Sequence, residues 1–194
     1  MGDRGALHLR LTDLVRASPL LTRALRAARE VDAPDWLIGA GVVRDLVWDR
    51  LHGRDAPAPP KDVDLVFFDP ADLSPEREHA VAERLRAVAP DVPWDVKNQA
   101  AVHRWYPAKF GFEVEPLTSS ADGVATWPET ATAVAVRLLR DDTVEVVAPC
   151  GLDDLLGLVH RRNPRRVSVA EYERRLATKR IAERWPRVRI VPAR

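Results

Sequence analysis

Leu37-Ile38-Gly39-Ala40-Gly41-Val42-Val43-Arg44-Asp45, followed across a proline-rich gap by Asp62-Val63-Asp64-Leu65, is the stretch on which the fold turns. Trp36-Leu37-Ile38 reads as a short buried strand, and Gly39-Ala40-Gly41 ends it. Val42 to His52 reads as a helix, with Val43, Leu46, Val47 and Leu51 on one stripe. Gly53 to Pro60 carries Pro57, Pro59 and Pro60, which excludes regular structure there. Asp62 to Phe68 then reads as a strand, in which Val63, Leu65 and Phe67 alternate with Asp62, Asp64 and Val66.

Outward from this unit the same pattern continues. Residues 9–31 read as helix, with Ser18-Pro19 as an N-cap and a first-turn proline. Ser74-Pro75-Glu76 starts another helix, running to about Val88. Trp94 to Lys97 predicts a third strand, passing into a helix that carries Ala100 to Trp105. A loop with Pro107, Gly111 and Pro116 follows. Ala131–Leu139 and Thr143–Val147, joined by Arg140-Asp141-Asp142, predict a hairpin. Leu152 to Val159 predicts a short helix, and Val169 to Arg184 a last, Arg-rich one. The order of elements predicts an α/β (α+β) fold, with a mixed central sheet flanked by helices. It divides into an N-terminal helical segment (1–34), a central domain (35–160) and a basic helical segment packed on it (161–194).

Composition narrows the classes. With 194 residues and 46% hydrophobic residues, the chain has core enough for about one domain and is not disordered in bulk. Its net charge of +1 excludes a polyelectrolyte that coats nucleic acid. The charge is uneven, however. Residues 161–194 hold 12 basic and 3 acidic side chains, while residues 1–160 hold 18 basic and 26 acidic. Cys150 is the single cysteine, so neither an internal disulfide nor a cysteine-rich zinc site is available. No apolar run reaches a membrane span and the start lacks a signal-peptide core, which predicts a cytoplasmic protein without membrane contact.

Three features could carry chemistry. Asp62 and Asp64 share one face of a strand, so their carboxylates are forced together, at a cost that a cation between them removes. Hard oxygen ligands on a buried strand suit Mg²⁺, with Mn²⁺ as a substitute. The bland alternative is a strand edge emerging into solvent beside Lys61. Gly39-Ala40-Gly41 opens a helix whose free N–H groups and dipole suit phosphate, and Arg44 in its first turn could add a bidentate contact. The alternative is a plain strand-to-helix turn. Asp95 lies in a strand expected beside Asp62 and Asp64, where a third carboxylate would complete a two-metal site, and Lys97 shares its face. His103, among aromatic residues, reads as a packed side chain.

The head, Leu37 to Asp45 with Asp62-Val63-Asp64-Leu65, resembles that of the CCA-adding tRNA nucleotidyltransferases and of the DNA polymerase β-like superfamily. A closer resemblance is to a bacterial family of nucleotidyltransferase-like proteins with no assigned substrate. It runs through Val47-Trp48, Leu51-His52-Gly53, Trp94 to His103 and Thr126-Trp127-Pro128-Glu129-Thr130-Ala131-Thr132. It continues in Ala148-Pro149, Gly151-Leu152-Asp153-Asp154-Leu155, Lys179 and Trp185-Pro186, and covers roughly residues 35–190. Two departures are visible. The superfamily usually has a Gly-Gly or Gly-Ser pair where Ala40-Gly41 stands, and the 20 residues between Gly41 and Asp62 make a longer gap than in the CCA-adding enzymes.

The resemblance implies metal-dependent nucleotidyl transfer from a nucleoside triphosphate (NTP) to a hydroxyl of an unknown acceptor, small molecule, RNA or protein. Asp62, Asp64 and Asp95 would hold two Mg²⁺, and Gly39, Ala40, Gly41, Arg44 and Lys97 would bind the nucleotide. The competing readings are an inactive nucleotide- or partner-binding protein on the same fold, and a glycosyltransferase holding a nucleotide-sugar through Asp62-Val63-Asp64. A haloacid-dehalogenase-type phosphatase fits less well, because its Asp-x-Asp ends a strand. The Arg-rich C-terminus reads either as a nucleic-acid clamp or as a solvated helix packed on the acidic body.

Overall fold

A computed structural model describes residues 2–54 and 59–193. Part of the expected proline loop, Pro57 included, lies outside the described residues. The helix expected over 9–31 is two helices, α1 (Gly2–Arg16) and α2 (Pro19–Val31). The cap signal inside that span is the reason: Ser18 Oγ accepts from the Leu21 N–H at 3.3 Å, with Pro19 in the first turn. Then come β1 (Leu37–Gly39), α3 (Gly41–Leu51), β2 (Val63–Phe67), α4 (Pro75–Val88) and β3 (Trp94–Asn98). Ser74 caps α4 in the same way, accepting from the Arg77 N–H at 3.3 Å.

A turn of 3₁₀-helix, Gln99–Ala101, leads into α5 (Val102–Phe110). The loop expected at Pro107 is displaced, because Pro107 sits inside α5. The hydrogen bond lost there is offset by ring packing, with Tyr106 4.4 Å from Phe110 between centroids. Gly111, at φ 81°, ends the helix, its N–H donating to Pro107 O at 2.8 Å. There follow α6 (Ser120–Val124), β4 (Ala135–Leu138), β5 (Val144–Val147), α7 (Asp153–Leu156), β6 (Val159–His160), α8 (Val169–Lys179), α9 (Ile181–Arg184) and β7 (Arg189–Ile190). The hairpin is thus shorter than expected. The single last helix is broken at Arg180, which takes the left-handed conformation at φ 50°.

The main sheet has the order β3-β2-β1-β4-β5 and is mixed, β2 and β3 being parallel and the other pairs antiparallel. β6 and β7 form a separate parallel pair. Alternation along β2 decides what each sheet face does. Val63, Leu65 and Phe67 enter a core shared with Leu11, Leu25, Val47 and Leu85 from helices α1 to α4. That core also takes Ile181 and Trp185, so it draws on the N-terminal, central and C-terminal stretches alike. Asp62, Asp64 and Val66 are left on the opposite face.

Candidate active site

That opposite face floors a cavity of about 660 Å³. In register, Asp64 lies between Gly39 of β1 and Asp95 of β3, so the glycine turn flanks it on one side and a third acid on the other. Burial, then the charges of Asp62 and Asp95, push the Asp64 carboxyl up to about 7, against the opposing pull of Lys179 and Arg44. The charged form is thus disfavoured first by burial and then by the two neighbouring carboxylates.

The turn is built differently from a ligand-cradling glycine loop. A Cβ on Gly39 would stand 2.5 Å from Val134 O and 2.7 Å from Ala135 Cβ, so glycine is required there by β4. The unusual backbone falls on Ala40, at φ 58° and ψ −125°, a conformation costing about 1–3 kcal/mol for a residue with a side chain. Gly41 lines the cavity, and a Cβ there would meet nothing within 4 Å. It leaves the N-terminal N–H groups of α3 uncovered on the cavity side.

Arg44 reaches the cavity wall, but its fork is occupied. Nε and Nη2 both donate to Asp45 Oδ1, at 2.9 and 2.6 Å, and its guanidinium lies 5.4 and 5.3 Å from the ring centres of Trp48 and Trp185. Arg184 Nη2 holds the other Asp45 oxygen at 2.8 Å, so this network ties α3 to α9. Arg44 therefore acts on Asp64 through charge, not through a free bidentate fork. Lys97 lines the cavity with Nζ 3.3 Å from Asp95 Oδ1 and 3.7 Å from Glu78 Oε2. Asp95 lies outside the lining, nearly half exposed and paired with that lysine.

The C-terminal segment supplies the facing wall. Glu171, Arg174, Arg175 and Lys179 of α8 line the cavity, and Lys179 acts on Asp64 while forming no ion pair among the described residues. Arg175 is held by Glu129, whose side chain is 1% exposed. Rings of α5 and the loop after it (Trp105, Tyr106, Phe110, Phe112) form a third wall. Arg180 and Arg184 turn away to Glu183 and Asp45. The basic segment thus splits between solvent pairs and the cavity.

The nucleotidyltransferase family model matches residues 26–190. The chain belongs to that family. Among solved structures it is similar to a protein whose NMR structure reveals a CCA-adding enzyme head domain. The TM-score is 0.79 and the identity 29%, covering 94% of this chain and 95% of that one. The fold is also that of the Thermotoga maritima CCA-adding enzyme complexed with tRNA (TM-score 0.57, 19% identity), where 93% of this chain covers 42% of that one. A CCA-adding enzyme complexed with ATP matches alike (TM-score 0.57, 18% identity, 93% and 43% covered). No curated protein matches the chain.

For a nucleotidyltransferase, Asp62 and Asp64 supply two hard oxygen donors side by side on the cavity floor, which fits a divalent cation. Among the described residues no group of three or more His, Cys, Asp or Glu side chains is arranged to hold a metal. The side chains that could hold such an ion are therefore Asp62 and Asp64, with Asp95 opposite Asp64 in register. Sequence reasoning did not assign Lys179, Arg175 or Glu129 to the site. The signal was present for the first two, which stand at i and i+4 on one helix face. Among the described residues no helix is long and apolar enough to cross a membrane.

Proposed function

We propose that this nucleotidyltransferase moves a nucleoside monophosphate from an NTP to an acceptor hydroxyl and releases pyrophosphate, with a divalent metal at Asp62 and Asp64. The observation that carries this is Asp64. It is a carboxylate held between Asp62 and Asp95 at the floor of a cavity that also takes in the N-terminus of α3 and the cations of α8. Structures of matching fold complexed with CTP and with ATP support an NTP as donor.

In this reading the N–H groups of α3, the charge of Arg44 and the side chain of Lys179 receive the triphosphate. Mg²⁺ or Mn²⁺, when bound, would neutralise phosphate charge and lower the pKa of the acceptor hydroxyl. The acceptor oxygen attacks the α-phosphorus and forms the new P–O bond. The bond from that phosphorus to the β-phosphate oxygen breaks, and pyrophosphate leaves with the electron pair. The hydroxyl proton is released to solvent. The glycine turn and α8 hold the donor on one side, and the remaining wall faces the acceptor, which keeps the two in line.

Calorimetric titration with each of the four NTPs, with and without Mg²⁺, tests the reading. Binding should require Mg²⁺ and vanish in the Asp62→Asn/Asp64→Asn variant. Absence of binding by any triphosphate would leave the inactive-fold or nucleotide-sugar readings.

A further inference from the structure

The cavity has two ends that suit anions, and one NTP accounts for one of them. Because β1 runs antiparallel to β2 with Gly39 opposite Asp64, the glycine turn lies toward the Asp62 end of β2. Lys97 pairs with Val66, and α5 follows the end of β3, so the ring wall lies toward the other end. At that ring end stand two cations without a carboxylate in ion-pair range among the described residues. Lys109 Nζ lies 5.5 Å from the ring centres of both Trp105 and Phe110. Arg166 lies 5.6 Å from that of Tyr106. Arg166 Nη2 donates to Glu115 O at 2.8 Å, while its Nη1 is buried with no partner. Burial also lowers the Arg166 pKa. Phe112 packs edge-on against Tyr106 yet is 45% exposed.

Cavity-lining rings interleaved with cations that lack a carboxylate are the chemistry that binds a base and its phosphate together. A donor whose triphosphate occupies the glycine-turn end leaves those cations without an anion. The same cations repel polycationic acceptors. We propose that the ring end is the acceptor subsite and takes a nucleotide unit, with its base against Trp105 and Phe112 and its phosphate at Lys109 and Arg166. The unit is a free mononucleotide or the end of an RNA strand. This assignment rests on the donor reading above.

The test uses the full chain saturated with Mg²⁺ and an α,β-methylene NTP, which fills the donor subsite without reacting. A nucleoside 5′-monophosphate and a 5′-phosphorylated trinucleotide are then titrated separately, followed by Trp fluorescence and calorimetry. Either one should bind the loaded protein, and the tighter of the two identifies the source. Trp105→Ala and Arg166→Ala should each weaken that second binding about tenfold or more, with the analogue's affinity changed less than twofold. Lys109→Glu, on an exposed side chain, should do the same and guards against a folding defect at Arg166. Three results overturn the proposal: neither probe binds the loaded protein, the variants lose the analogue instead, or a cationic aminoglycoside binds where the nucleotides do not. Failure of the analogue itself to bind wild type would overturn the donor reading and this one with it.

Discussion

Arg175 grips Glu129 across 46 residues of chain through two hydrogen bonds, Nε to Oε1 at 2.6 Å and Nη2 to Oε2 at 3.2 Å. Thr132 Oγ1 donates to the same carboxylate at 2.9 Å. Burial would raise the Glu129 pKa, but the hydrogen bond and charge of Arg175 outweigh it and leave it lowered. The pair fixes α8, and with it Lys179, over the cavity floor. Glu129→Gln leaves Arg175 largely unpaired and should cost about 2–4 kcal/mol, seen as a lower melting temperature. Adding Arg175→Met should recover part of that loss. NTP affinity should fall in both, because α8 loses its anchor; unchanged affinity would show that α8 is placed without this pair.

Asp64 predicts an opposition between stability and activity. Its folded pKa of about 7 lies above its ordinary 3.8, so the native state keeps a proton that the unfolded chain has lost. Metal-free stability therefore falls as pH rises from about 4 through 7. Asp64→Asn removes the penalty and should stabilise the metal-free protein at pH 8 by on the order of 1–3 kcal/mol, after screening. At pH 4 it should change little. Mg²⁺ should raise the wild-type melting temperature at pH 8 and not that of the variant, which should be inactive. Melting curves in chelator and in Mg²⁺ at both pH values decide this.

The turn before α3 carries a matched pair of substitutions. Ala40→Gly relieves a positive φ and should stabilise by about 1 kcal/mol, or roughly 2–4 °C in melting temperature. Gly39→Ala drives a methyl into Val134 O and Ala135 and should destabilise by about 1–3 kcal/mol. Adjacent small residues thus respond in opposite directions. Equal responses would place the strain elsewhere in the turn.

What was legible in the sequence is what neighbours along the chain decide. The alternation of Val63, Leu65 and Phe67 with Asp62 and Asp64 gave both the strand and the face its carboxylates share. The Ser-Pro pairs at Ser18 and Ser74 signal two caps, and the first of them divides the stretch 9–31, apolar at helical spacing throughout, into two helices. Asp95 was expected beside the Asp pair, and the parallel register of β2 and β3 puts it opposite Asp64. Pairings distant along the chain were not legible. β6 and β7 are two residues each and leave no periodic signature. The Arg-rich tail has the same composition whether α8 faces solvent or the cavity. Only tertiary packing separates Lys179, which faces Asp64, from Arg180, which pairs with Glu183. Arg44 shows the converse: its position was right for phosphate, but Asp45, one residue on, takes its fork.

His160 should give the chain an acid-sensitive element that Asp64 masks. It is 1% exposed, with Tyr172 Oη 3.0 Å from Nδ1 and Trp48 packed against it. Burial first, then the charges of Arg44 and Arg175, lower its pKa to about 4 against the attraction of Glu129. The unfolded chain binds a proton below about 6.5 that the native state refuses, so stability is full above that pH and declines as pH falls toward 4. The loss is up to about 3 kcal/mol. Asp64 changes stability in the opposite sense over much of the same range, so the metal-free wild type should show a shallow profile between pH 4 and 7. In the Asp64→Asn background the His160 slope should stand alone, and adding His160→Gln should flatten it while lowering stability at pH 7. Denaturant unfolding across that range for the three proteins reads this directly. A wild-type slope as steep as that of Asp64→Asn would mean that Asp64 does not carry the proton assigned to it.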